Sequence, residues 1–94
     1  MTEFYEQVKE RLMRYVRINT ESNPHSTSVP TTSCQHDLAS VIYEELQEIG
    51  ATNVYYDKDT CVVYGSLEAN VKTGRAIGFV THMDTAPDAS GKDV

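Results

Sequence analysis

The sequence predicts an α/β domain in which two helices pack on a mixed sheet, a hairpin plus one buried strand. Three observations carry this. Apolar residues recur at helical spacing in two stretches, residues 3–18 and 32–49. Two β-rich runs, 53–56 and 60–67, flank an Asp-Lys-Asp turn at 57–59 and read as an antiparallel hairpin. A third run, 75–81, is almost wholly apolar without alternation, the pattern of a strand covered on both faces. Helices laid against a sheet with an apolar central strand give a layered α/β domain.

In the first helix, Phe4, Val8, Leu12, Tyr15 and Val16 fall on one face. Glu3 and Glu6 begin it, and Arg14 and Arg17 lie toward its end, both in accord with the helix dipole. Glu10 and Arg14 are spaced for an i, i+4 pair worth a few tenths of a kcal/mol. The basic residues here are expected to form a solvated face. Residues 19–31 are a polar loop, long for a compact domain and therefore functional or flexible. His25, inside it, is expected to be exposed.

Thr32-Ser33-Cys34-Gln35 fits a capping box, with Thr32 as N-cap and Gln35 at the third helical position. The second helix then presents Leu38, Val41, Ile42, Glu45, Leu46 and Ile49 on one face, all apolar but Glu45. Glu44, Glu45 and Glu48 oppose the dipole, and the sequence offers no reason for them. His36 is expected to face solvent. Gly50 is placed to end the helix in the left-handed conformation. A polar connection, 68–74, leads to the third strand, where Gly78 permits close packing.

Size and charge narrow the function classes. At 94 residues the chain is one domain at most, with a modest core. Its net charge of −6 and scattered Lys and Arg argue against nucleic acid and anionic membranes as partners. The polar N-terminus has no signal-peptide pattern, and no apolar run approaches the ~20 residues of a membrane helix. Cys34 and Cys61 make no disulfide framework and lack the spacing of a structural zinc site. Two reduced thiols in a cytoplasmic protein are the expectation.

The chemistry concentrates at His82-Met83-Asp84, where the third strand runs into a loop. In open α/β sheets, sites form beyond the carboxyl ends of strands. Side chains at i and i+2 of an extended segment share a face, so His82 and Asp84 are expected to meet. A neutral imidazole can ligate a metal while a carboxylate takes its other N–H. A catalytic zinc site needs about three protein ligands and an open position. His82 is the one well-placed ligand; His25 and His36 lie far upstream, and no H-E-x-x-H, P-loop, G-x-G-x-x-G or nucleophile elbow is present. Asp88 and Asp93 are expected to serve the loop as solvated turn residues. The unclosed loop at 90–94 and the uncovered third strand suggest the front part of a larger catalytic domain.

Residues 79–92, Phe-Val-Thr-His-Met-Asp-Thr-Ala-Pro-Asp-Ala-Ser-Gly-Lys, resemble the first metal-binding segment of peptidase T, the tripeptide aminopeptidases among the dinuclear zinc metallopeptidases. So do Tyr15-Val16-Arg17-Ile18-Asn19-Thr20-Glu21-Ser22, Val29-Pro30-Thr31-Thr32, residues 46–54 and residues 67–71, in the same order along the chain. The resemblance implies that residues 1–94 are an incomplete, N-terminal part of a zinc-exopeptidase catalytic domain. It implies that His82 is a zinc ligand and that Asp84, counted among the catalytic residues, orients it. The cofactor would be two zinc ions per complete site, with one ligand present here. The parent would release the N-terminal residue from tripeptides in the cytoplasm. The family's remaining ligands and its glutamate base lie downstream, so the 94-residue chain by itself is expected to be inactive. The alternatives are another hydrolase of the same dinuclear group, an aminoacylase or dipeptidase, or a non-catalytic fragment without stable metal. Expected partners are small peptides and, through the edge of the third strand, other copies of the chain.

Overall fold

The helical spacing of Phe4, Val8, Leu12 and Tyr15 produces α1, Thr2–Val16, in a computed structural model that describes residues 2–72 and 74–89. One further turn, closed by the Ile18 N–H on the Tyr15 carbonyl at 3.1 Å, ends the helix before an extended segment at 19–22. The apolar face of α1 stays largely exposed. A polar cluster ties α1 to the rest. Arg11, Arg14 and Tyr15 all converge on the carboxylate of Glu45 in the second helix, α2, Gln35–Glu48. Two of the basic residues expected on a solvated face are thus spent on a buried acid, and Arg14 pairs with Glu45 rather than Glu10. The same contact explains a Glu on the apolar face of α2.

Burial raises the Tyr15 phenol above its ordinary pKa of 10.0; its hydrogen bond to Glu45 raises it further, and Arg11 partly opposes. A raised folded-state pKa means that the stabilisation is complete below about pH 10 and is lost as pH rises through the folded value. The wild-type chain should therefore lose stability between pH 9 and 11 beyond whatever Tyr15→Phe loses, read as denaturant midpoints at both pH values. Identical alkaline losses in the two proteins would remove Tyr15 from the account.

Helix α2 begins later than the capping box predicts. Cys34, in helical conformation at φ −64° and ψ −19°, stands at the N-cap, without a side-chain cap. The His36 and Asp37 N–H groups bond back to the Ser33 and Cys34 carbonyls at 3.1 Å each, a tight first turn. Thr32 is unavailable as a cap because its hydroxyl donates to the Glu21 carbonyl at 2.6 Å and accepts from Gln35 Nε2 at 3.0 Å. The C-terminus follows expectation. Gly50 has φ +88°, its N–H bonds to the Gln47 carbonyl at 3.2 Å, and the Ala51 N–H reaches Leu46 at 3.0 Å. That pair of bonds is a Schellman closure, which needs a left-handed residue.

The chain then forms β1, Thr52–Asp57, and β2, Val62–Ser66, an antiparallel two-stranded sheet. Tyr55 lies opposite Tyr64 and Tyr56 opposite Val63. The register slips by one residue between Thr52 and Tyr55, where Asn53 takes φ +51°, a bulge at a residue type that tolerates that conformation. The turn extends to Cys61, at φ +59° and buried, so this cysteine sits in the turn rather than in the strand. Helix α2 covers one face of the hairpin. Leu46 Cδ1 would lie 3.2 Å from a Cβ at Gly65, so the missing side chain sets how closely helix and strand approach. Leu38, Ala39 and Cys61 are the buried apolar residues among those described.

The expected third strand does not form. Residues 75–81 make no ladder with β1 or β2, and Phe79 and Val80 are 92% and 100% exposed. An apolar run reports a tendency to be buried, but a strand also needs neighbours for its N–H and C=O groups, and the hairpin supplies none to this segment. The α/β class holds, with two helices and a two-stranded sheet in place of the larger mixed one. Among the described residues no helix is long and apolar enough to cross a membrane.

Candidate functional site

Residues 82–85 are held in place by the segment that leaves α1. Glu21 and Thr85 form an isolated parallel bridge. The Thr85 N–H bonds to the Thr20 carbonyl at 3.1 Å, and the Ser22 N–H bonds to the Thr85 carbonyl at 2.9 Å. The buried Thr20 adds its hydroxyl, donated to the Met83 carbonyl at 2.8 Å, and the Ser22 hydroxyl reaches the Thr85 carbonyl at 3.1 Å. Thr32 secures the other side of this segment through Glu21.

On this frame His82 and Asp84 meet as the i, i+2 spacing predicts, although the backbone is not a strand. His82 Nδ1 lies 3.0 Å from Asp84 Oδ1 and 3.0 Å from the Asp84 backbone carbonyl oxygen. A carboxylate and a carbonyl are acceptors only, so Nδ1 carries the proton and Nε2 keeps the lone pair of the neutral ring. The imidazole is 84% exposed, and the Asp84 side chain 38%. Burial pushes the Asp84 carboxyl up, but the hydrogen bonds from His82 and Ser22 outweigh it and hold the group below the usual carboxylate value. Behind His82, a mostly apolar groove of about 430 Å³ runs between Tyr15, Val16, Ile18, Leu38 and Ile42.

The other titratable candidates lie apart. His25 is exposed in its loop, as expected. His36 departs from the solvent-facing expectation: it is half-buried, with Nδ1 against the Tyr56 hydroxyl. Asp88 is exposed in a short 3-10 turn, Pro87–Ala89, and Asp93 lies outside the described residues. Cys34 and Cys61 are free thiols, and burial raises the pKa of Cys61. Among the described residues no group of three or more His, Cys, Asp or Glu could hold a metal ion.

Two residues at the site were not anticipated. Thr20 and Ser22 stood in a polar loop and in a stretch that resembles peptidase T, with no role of their own. Their signal was present in the sequence: hydroxyls two residues apart, directly after a helix, share one side of an extended segment.

No family model matches the chain. Curated proteins do. Peptidase T of Alkaliphilus oremlandii (strain OhILAs) is 43% identical over 88 residues, 90% of this chain and 21% of that protein. Peptidase T of Streptococcus equi subsp. equi (strain 4047) is 46% identical over 84 residues, 87% of this chain and 21% of its own length. Peptidase T of Bacillus cereus (strain G9842) is 48% identical over 86 residues, with shares of 90% and 21%. Over about nine-tenths of its length the chain is thus similar to peptidase T, and it spans about a fifth of the length of the curated relatives it matches.

Proposed function

We propose that this chain is the N-terminal part of the catalytic domain of a zinc-dependent aminopeptidase, whose parent releases the N-terminal residue from tripeptides in the cytoplasm. The observation that carries the reading is 43–48% identity to peptidase T along about nine-tenths of the chain, the His82–Asp84 pair being the chemistry within it. His82 would ligate zinc through Nε2. Asp84 would be the catalytic-site carboxylate that fixes the ring by accepting from Nδ1–H, the usual arrangement behind a ligating histidine.

The donor set supports a share of a zinc site rather than a whole one. An exposed imidazole with its second nitrogen anchored is, in its neutral form, a suitable ligand, and a catalytic site needs about two more from the protein. When bound, zinc supplies a Lewis acid and a water deprotonated near neutral pH. This chain's residues would contribute orientation. Asp84 keeps the imidazole in one tautomer and makes it a better donor, and Thr20, Ser22 and Thr85 hold the loop that carries both. The general base and the groups that read the peptide termini would come from outside the described residues.

Purified alone, the chain should carry substoichiometric zinc that dialysis removes, and it should hydrolyse no tripeptide. Tight one-to-one or two-to-one zinc, or turnover abolished by chelator and by His82→Ala, would refute the partial-site reading. The exposed Ile77, Phe79 and Val80 also support self-association of the isolated chain.

A further inference from the structure

We propose that two copies of this chain pair through residues 75–81 as an antiparallel ribbon, across a twofold axis at Gly78. This rests on the self-association read above from the same exposed run and gives it a partner, a register and a symmetry. It uses neither the zinc nor the peptidase assignment.

The chain exposes 7695 Å² of surface, where a compact monomer of its 10.5 kDa exposes about 5,400 Å². Burying half of that excess in each copy removes about 2,000 Å² in all, the size of an obligate homodimer interface. Such interfaces are apolar, and so are the open residues here. Ile77, Phe79 and Val80 are 84%, 92% and 100% exposed, and Phe4, Val8 and Leu12 form an open stripe on α1. Run and stripe meet, because Val16 and Thr81 line the same groove. Glu3, Glu6, Glu10 and Arg17 lie off the stripe, so it can be covered without desolvating them.

Backbone chemistry chooses the partner. Residues 76–80 make no backbone hydrogen bond among the described residues. Open N–H and C=O groups on an extended segment are satisfied by another strand, not by a helix face. A second copy brings the same segment, and a twofold axis makes the two antiparallel and their contacts reciprocal. With the axis at Gly78, Ile77 lies opposite the partner's Phe79, and Phe79 opposite the partner's Ile77. An aromatic beside a β-branched residue is a favourable cross-strand pair. Side chains at i and i+2 point the same way, so all four share one face of the ribbon. The other face carries the smaller Ala76 and Val80 on either side of Gly78.

Sedimentation equilibrium of the metal-free chain, joined to cysteine cross-linking, tests this. Wild type should convert with rising concentration to one species of twice the 10.5 kDa chain mass. Each copy carries a net charge of −6, so added salt should tighten the dimer by screening its repulsion. Phe79→Asp, a change outside the core, should weaken the dimer roughly thirtyfold or more, the loss of one central anchor side chain. Gly78→Cys sets two thiols face to face at the ~5 Å Cα spacing of directly opposite residues, within disulfide range. Nothing lies within 4 Å of a Cβ at Gly78, so the substitution fits. Ala76→Cys leaves its two thiols ~14 Å apart along the ribbon, out of range. Mild oxidation should cross-link the first variant and not the second, with peptide mapping to separate this bond from any at Cys34 or Cys61. A monomer at every concentration, or a dimer that salt loosens, would overturn the proposal. So would open-ended assemblies, or Ala76→Cys cross-linking as fast as Gly78→Cys; these keep self-association but remove this dimer. None of these outcomes bears on the zinc assignment, which is read by adding zinc.

Discussion

Replacing Arg11 and Arg14 together by methionine should destabilise the chain by about 3 kcal/mol, while Glu45→Gln should cost only about 1 kcal/mol. The asymmetry follows from where the charges sit. The Glu45 side chain is 7% exposed, whereas Arg11 and Arg14 are 35% and 49% exposed. Without the arginines a carboxylate is left in a dry site with Tyr15 as its remaining donor, and a buried charge stripped of its counter-charges is expensive. Without the carboxylate, the arginines turn back into water. Adding Glu45→Leu to the double variant should recover most of the loss, because apolar replacement of a whole buried ionic cluster is often neutral or better. Denaturant midpoints of the single, double and triple variants decide this. A double variant no less stable than Glu45→Gln would show that the cluster does not join α1 to α2.

Asp84→Asn should weaken zinc binding by the chain about tenfold, the low end of the 10- to 100-fold range for losing the partner behind a ligating histidine. The low end is expected because the Asp84 backbone carbonyl still accepts from Nδ1–H at 3.0 Å and an asparagine can accept too; what disappears is the negative charge. Competition titration against a chromophoric chelator measures the change. An Asp84→Asn chain that holds zinc as well as wild type would take the carboxylate out of the site.

What could be read from the sequence divides along physical lines. Features set by neighbours along the chain were legible. The spacing of Phe4, Val8 and Leu12 gave α1, Gly50 marked the end of α2, and the runs flanking Asp57 to Asp59 gave the hairpin. The meeting of His82 with Asp84 was legible for the same reason, being two residues long. Contacts between distant residues were not. Thr20 bonds to a residue 63 positions away, and nothing in an Asn-Thr-Glu-Ser run names its partner. Glu45 was visible as an anomaly on an apolar face, yet its partners on α1 were not. Residues 75–81 were read as a strand because apolarity was taken for burial, and burial depends on what surrounds the segment. The capping box failed because the Thr32 hydroxyl oxygen accepts from the Gln35 side chain rather than from a helix N–H.

The central claim is that residues 82–84 present one zinc ligand through His82 Nε2 while Nδ1–H stays on Asp84. A zinc titration of the full chain, followed on the 15N resonances of the three imidazoles, tests it most directly. The predicted result is that His82 Nε2 moves at lower zinc than any nitrogen of His25 or His36, with the Nδ1 proton of His82 retained. Zinc that leaves His82 unmoved, or that binds it through Nδ1, would contradict the account.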